Sequence, residues 1–181
     1  MLTDIERVLL DRHQIARRIS ELGMEIRRDL DGLEPDAQIV LVPILTGSII
    51  FMADLMRELP VKMRISVVTT SSYPGNATAS VGAQLIGSLP PDLQDKHVLI
   101  VDDILDSGNT IRLIRTEIQQ RKPRSLRVCV LLRKKIPSAL ATPCDYVGFD
   151  IPDEFVVGYG LDYDNYYRNL PDVCTLRKEV M

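Results

Sequence analysis

Asp102, Asp103 and Asp106 bring three carboxylates together directly behind the apolar run Val98-Leu99-Ile100-Val101 and directly ahead of Ser107-Gly108-Asn109-Thr110. Carboxylates accept hydrogen bonds or hold hard cations. A Ser-Gly-Asn-Thr stretch that opens a helix offers an anion two hydroxyls, a bendable backbone and unpaired amides. Acids beside such a cradle repel what the cradle attracts, so the bound group must carry hydroxyls or cations as well as negative charge. A sugar phosphate meets that requirement. Its phosphate sits on Ser107 to Thr110, its vicinal hydroxyls face Asp102 and Asp103 directly or through a Mg²⁺ shell, and Asp106 is left for proton transfer. The competing reading makes Asp106 and Ser107 a helix cap and leaves Asp102 and Asp103 as solvated strand-end acids. A Walker-type loop is excluded, because no glycine-rich loop here ends in Gly-Lys-Ser/Thr.

Ligands of open α/β sheets bind outside the carboxyl ends of the strands, so the rest of the chain has to supply strands ending at this level. Apolar runs at Ile39 to Leu45, Ile65 to Val68, Val98 to Val101 and Leu126 to Leu132 read as buried strands. Helical stretches alternate with them. In the first, Asp11 to about Leu30, the apolar residues Ile15, Ile19, Leu22, Ile26 and Leu30 share one face, and Asp11 and Gln14 are spaced as a capping pair. Ser48 to Leu59 and Thr110 to Lys122 are each halted by a proline. This alternation predicts an α/β fold: a mostly parallel twisted sheet flanked by helices on both faces. Tyr146 to Ile151 and Glu154 to Gly160 read as strands with no helix between them. Residues from about 146 to 181, with the N-terminal segment, are therefore expected to form a small hood on a core of about 37 to 145. The stretch 71–82 has the least periodicity and is a lid candidate.

Composition fits one globular domain: 181 residues, 45% hydrophobic, 26% charged, net charge −3. No apolar run reaches the roughly 18 residues needed to span a bilayer, and the first residues are acidic where a signal peptide is basic, so a cytoplasmic location is expected and no membrane. Three scattered cysteines and two distant histidines suggest neither a disulfide framework nor a zinc site. Slight acidity argues against a nucleic-acid partner.

The run Val98 to Thr110 resembles, at every position, the phosphoribosyl pyrophosphate signature of type I phosphoribosyltransferases: apolar residues, two acids, two further residues, an acid, Ser/Thr, Gly, any residue, Thr. The resemblance implies Mg²⁺-assisted transfer of ribose 5-phosphate to a nitrogen base with release of pyrophosphate. The segment Phe155 to Tyr163, followed by Tyr166 to Leu170, looks like the C-terminal signature of the hypoxanthine-guanine members. Leu131-Leu132-Arg133-Lys134 aligns with their lysine-bearing strand end, and Ser72-Tyr73 with the start of their mobile loop. That likeness implies that Phe155 stacks on the purine, backbone groups of Val156 and Asp162 read its edge, and Lys134 donates to the 6-oxo group. It also implies that Arg168 faces pyrophosphate, that Asp162 reaches a second Mg²⁺, that Asp106 acts as general base, and that the chain forms homodimers or homotetramers. An ammonium suits an oxopurine, since it would meet the amino group of adenine donor to donor.

Two positions depart from the family pattern. Thr46 stands before Gly47 and Ser48 where the family commonly has Lys, which removes a cation from the pyrophosphate site and leaves the amides of Gly47 and Ser48 to hold the anion. Asp102 replaces the longer Glu of many members. Other readings are a transferase for xanthine or a pyrimidine, and a sensor that binds phosphoribosyl pyrophosphate or nucleotides without turnover.

Overall fold

The computed structural model describes residues 1–71, 84–86, 89 and 91–181. Ser72, Tyr73 and the remainder of the lid candidate at 71–82 beyond Ser71 lie outside them. In chain order the elements are β1 (Ile5–Leu10), α1 (Arg12–Leu30), β2 (Ile39–Leu45), α2 (Ile49–Arg57), β3 (Met63–Ile65), β4 (Val68–Ser71), β5 (Gln84–Ile86), β6 (His97–Leu105), α3 (Asn109–Gln119), β7 (Ser125–Lys134), α4 (Pro137–Leu140), β8 (Tyr146–Ile151), β9 (Val156–Val157) and β10 (Val173–Leu176).

The main sheet runs β5-β4-β2-β6-β7-β8, with β3 also paired to β2. Every pairing in it is parallel except β4 with β5. Strand residues alternate between two apolar layers, as a period of two demands. Leu41, Leu99, Val101, Cys129 and Leu131 join Ile15, Ile19, Leu22, Phe51 and Leu55 of α1 and α2, whereas Val40, Val42, Val98, Ile100, Val128 and Val130 join Ile111, Ile114 and Ile118 of α3. Helices therefore cover both faces, and α1 opens with the Asp11–Gln14 capping box that its sequence announces. No helix among the described residues is long and apolar enough to cross a membrane.

Three strand assignments need correction. The expected strand Ile65 to Val68 is two strands, β3 and β4, with Ser66 and Val67 between them. Both pair with β2, β3 through Ile39 to Leu41 and β4 through Ile44 and Leu45, so Val42 and Pro43 have no partner on that side. Proline has no N–H for a ladder, and the break falls beside it. Tyr146 to Ile151, read as part of the hood, is the edge strand β8 of the core sheet, brought parallel to β7 by the short helix α4. Glu154 to Gly160 contains only the two-residue β9, because Gly158, Tyr159 and Gly160 all take positive φ (+92°, +52° and +103°), which ends extended pairing.

The hood is an antiparallel sheet β1-β10-β9 that joins the chain's two ends, a pairing for which neither short segment carries a local signal. Val156, Tyr159, Leu161 and Val173 pack into the same apolar layer as α1 and α2, and two further contacts fix the hood beside β2 and α2. The Tyr159 hydroxyl donates to Asp54 of α2. Gly160 lies so close behind Gly47 that a Cβ there would stand 2.1 Å from the Gly47 carbonyl oxygen.

Candidate active site

β6 does not stop at its acids. It stays in register with β7 as far as Leu105, with Asp102 opposite Val130 and Ile104 opposite Leu132. Asp102 is thereby buried at the end of the sheet, and its Oδ1 accepts from the backbone N–H of Asp103 at 3.1 Å. Burial, followed by the neighbouring Asp103 charge, pushes the Asp102 carboxyl well above the usual range; burial also raises Asp103. A carboxyl whose pKa is higher folded than unfolded binds its proton more readily in the folded state. Its charge therefore costs stability above the folded pKa, and that cost is relieved as pH falls through it. Asp102→Asn is accordingly expected to raise the melting temperature of the ligand-free protein at pH 7 and to give a smaller gain at pH 5, as followed by calorimetry. A gain that does not shrink with pH would assign the effect to something other than the buried charge.

A cleft of about 620 Å³ opens above this pair. Asp102, Asp103, Asp106, Ser107, Gly108 and Thr110 form one wall, Thr46 and Gly47 a second, and Asp162, Asn165 and Arg168 of the hood a third. Thr69 and Thr70, at the end of β4, complete it. The helix-cap reading of the acids fails here. α3 has Gly108 as N-cap with no side-chain cap bond, and only the Ser107 hydroxyl accepts, at 3.4 Å, from the Asn109 amide. The amides of Thr110 and Ile111 carry no side-chain cap, and a helix start of this kind can receive an anion. Gly108 adopts φ +80° there, and a Cβ would strike Thr142 Oγ1 at 2.2 Å, so both the turn and its packing require glycine. Asn109 is exposed and does not line the cleft.

Gly47 sits where a Cβ would meet Asp103 Oδ2 at 1.8 Å. The backbone can approach the acid pair only because that atom is missing. Ser48, whose amide the sequence offers to the anion, does not line the cleft, and its buried hydroxyl turns back onto the Ile44 carbonyl at 2.6 Å. Across the cleft, Arg168 holds Asp162 Oδ1 at 2.8 Å and donates to the Gly160 carbonyl, while Asp162 Oδ2 accepts from the Asn165 amide. No group of three or more His, Cys, Asp or Glu side chains among the described residues converges as a metal cage. What the cleft offers a cation is the Asp102–Asp103 pair and, separately, Asp162. All are hard oxygen donors, and they suit an ion that completes its shell with ligand oxygens and water.

At the end of β7, Lys134 Nζ lies 3.1 Å from Asp106 Oδ2 and 3.1 Å from Asp153 Oδ1. Burial alone would lower the Lys134 ammonium, but the two carboxylates outweigh it and hold the group above the usual lysine value. Two residues beyond Asp153, Phe155 is 47% exposed and meets the Tyr163 ring edge-on at 5.7 Å, so it is not core packing. Val156 is buried in β9.

A phosphoribosyl transferase domain model matches residues 7–164. The chain belongs to the phosphoribosyltransferase family. It is similar to a hypoxanthine-guanine phosphoribosyltransferase of Mycobacterium avium, 44% identical over 98% of this chain and 88% of that one. It is also similar to a hypoxanthine phosphoribosyltransferase of Escherichia coli, 42% identical over 91% of each chain. The crystal structure of a hypoxanthine phosphoribosyltransferase from Staphylococcus aureus superposes with a TM-score of 0.89 at 41% identity, covering 99% of this chain and 96% of that one.

In this phosphoribosyltransferase fold the cleft wall from Asp102 to Thr110 comes from one contiguous stretch, whereas three contributors near it do not. Asp153 beside Lys134, the Thr69-Thr70 end of β4, and Arg112 with Thr142 behind the Ser107–Thr110 loop come from separate elements. Only the polar Thr pair directly after a strand's apolar residue carried a usable signal.

Proposed function

We propose that the chain transfers the 5-phosphoribosyl group of phosphoribosyl pyrophosphate to hypoxanthine or guanine, yielding inosine or guanosine monophosphate and pyrophosphate in purine salvage. The observation that carries this reading is the Lys134–Asp106 pair, 3.1 Å apart, of which Asp106 lines the cleft and Lys134 stands behind it at the end of β7. A 6-oxopurine presents its 6-oxo oxygen and N7 side by side on one edge. An ammonium adjoining a carboxylate matches that edge, the first donating to the oxygen and the second facing the N7 proton.

Cleavage between C1 and pyrophosphate leaves positive charge on the sugar, as in glycoside hydrolysis, and the nearby carboxylates favour that charge. Asp106 takes the N7 proton as N9 bonds to C1. The Gly47 amide and Arg168 hold the departing pyrophosphate, the amides of Gly108 and Thr110 hold the 5′-phosphate, and Phe155 covers the purine face. Asp102 and Asp103, and Asp162 at a second position, would hold Mg²⁺, which when bound neutralises pyrophosphate charge. The reading extends to a pentosyltransferase that works in the cytoplasm as a homodimer or homotetramer, the assembly being open to sedimentation.

The test is a product assay with phosphoribosyl pyrophosphate, Mg²⁺ and a panel of bases. Turnover with hypoxanthine or guanine is expected; binding without turnover, or turnover with a pyrimidine alone, overturns the reading. Thr46→Lys restores a cation to the Gly47 loop. It is expected to lower KM for phosphoribosyl pyrophosphate about tenfold and to flatten the dependence of rate on Mg²⁺ concentration. An unchanged KM would mean that Thr46 does not face the pyrophosphate.

A further inference from the structure

The phosphate loop is gripped from behind by a side chain to which the reaction above assigns no part. Arg112, one turn into α3, donates from Nη2 to the Ser107 carbonyl at 2.9 Å and to Asn109 Oδ1 at 2.8 Å, and from Nη1 to Thr142 Oγ1 at 2.6 Å. Thr142 is buried and donates in turn to the Ser138 carbonyl at 2.8 Å, so the grip is anchored in the connection between α4 and β8. A guanidinium presents its donors in a rigid planar fork, which allows one side chain to hold three acceptors at once.

What the grip fixes is the orientation of one peptide. The only cis bond among the described residues is Leu45–Thr46, so the Ser107–Gly108 peptide is trans, with its carbonyl and its N–H on opposite sides. Ser107, Gly108 and Thr110 line the cleft and Arg112 does not. With the Ser107 carbonyl tied to Arg112, the Gly108 N–H is turned the other way. Gly108, at φ +80° and ψ 0°, has the dihedrals of the third residue of a type II turn. Turning that central peptide over gives the type I form, in which the carbonyl and the amide exchange sides.

We propose that Arg112 is a positioning residue that locks the Ser107–Gly108 peptide with its amide toward the cleft, so that a 5′-phosphate meets a donor where the flipped loop would offer a carbonyl. The ligand class rests on the function proposed above, whereas the peptide lock rests on the loop geometry alone.

The experiment compares wild type with Arg112→Ala, Arg112→Gln, Arg112→Lys and Thr142→Val. It measures ribose 5-phosphate binding by calorimetry without base, and KM separately for phosphoribosyl pyrophosphate and hypoxanthine. Arg112→Ala is expected to weaken ribose 5-phosphate and to raise KM for phosphoribosyl pyrophosphate about tenfold, with KM for hypoxanthine and kcat within about twofold. Arg112→Gln, which keeps a neutral donor for the Ser107 carbonyl, is expected to recover part of the loss. Thr142→Val, which removes only the far anchor, should cost about twofold to threefold. Unchanged ribose 5-phosphate binding in Arg112→Ala overturns the proposal, as does an equal loss toward hypoxanthine with a lowered melting temperature. Rescue by Lys but not by Gln also overturns it, because the charge and not the carbonyl bond would then be what matters. Should Arg112→Ala fail to fold, the Gln and Val variants carry the same readouts. If the wild type binds ribose 5-phosphate but turns over no base, the reaction proposed above falls while the Arg112 comparison still decides the lock.

Discussion

Asp106→Asn is expected to lower kcat by about 10² to 10⁴, the usual contribution of a positioned general base, and to leave the dissociation constant of the nucleoside monophosphate within a few-fold of wild type. The asymmetry follows from the contacts around Lys134. Its ammonium is held by Asp153 as well as by Asp106, each at 3.1 Å, so removing the Asp106 charge leaves the 6-oxo donor seated on its second partner. Asparagine keeps the shape of the side chain and can still accept a hydrogen bond, but it cannot take up the N7 proton. Single-turnover rates with saturating phosphoribosyl pyrophosphate, set beside product affinity from calorimetry, separate the two quantities. Equal losses in both would remove Asp106 from the base role and make it a binding group.

Asp153 shows why one half of this arrangement was readable in the sequence and the other was not. The strand, its acids and the phosphate loop are consecutive, so a single stretch from Val98 to Thr110 carries all the information: apolar residues for a buried strand, acids at its carboxyl end, and a glycine where the turn needs positive φ. The partners that tune this stretch arrive through space. Asp153 reaches Lys134 from the loop after β8, and Thr142 reaches Arg112 from the end of α4, with nothing local to mark either. The position of β8 is hidden in the sequence for a related reason. A four-residue helix such as α4 is too short to leave a periodic signal, so nothing local marks the crossover that makes Tyr146–Ile151 parallel to β7.

Other features were legible only as alternatives, and packing decided between them. Phe155 in an apolar run reads by itself as core, and only the family resemblance makes it a stacking surface, until its exposure is known. Asp106 and Ser107 read as a cap until α3 begins at Asn109 with Gly108 in front of it. The hood is the extreme case. β1 and β10 stand at opposite ends of the chain, so nothing local to either announces the pairing. Local sequence therefore placed the wall from Asp102 to Thr110 in one stretch, whereas the third wall, Asp162 and Arg168, depended on non-local pairing to come over the cleft.

Gly47→Ala tests how tightly those walls are fitted, and it is expected to lower kcat/KM for phosphoribosyl pyrophosphate by about 10² or more, because a displacement near 1 Å at a reacting centre has that effect. Gly47 does not have positive φ, so the backbone itself tolerates alanine; the obstacle is the added methyl, 1.8 Å from Asp103 Oδ2 and 2.6 Å from its Cγ. Asp103 has a short side chain beside the buried Asp102 and cannot clear that overlap without leaving its place in the cleft wall. Retreat of the Gly47 loop is blocked as well, since its carbonyl stands 2.1 Å from where a Gly160 Cβ would be, which leaves no slack between core and hood. Gly32→Ala supplies the control. The nearest atom to its added Cβ is the Asp29 carbonyl oxygen at 3.9 Å, and it should leave both melting temperature and kinetics unchanged. Wild-type KM in Gly47→Ala would mean that Asp103 has freedom the packing does not allow it, and its place opposite the ribose hydroxyls would have to be given up.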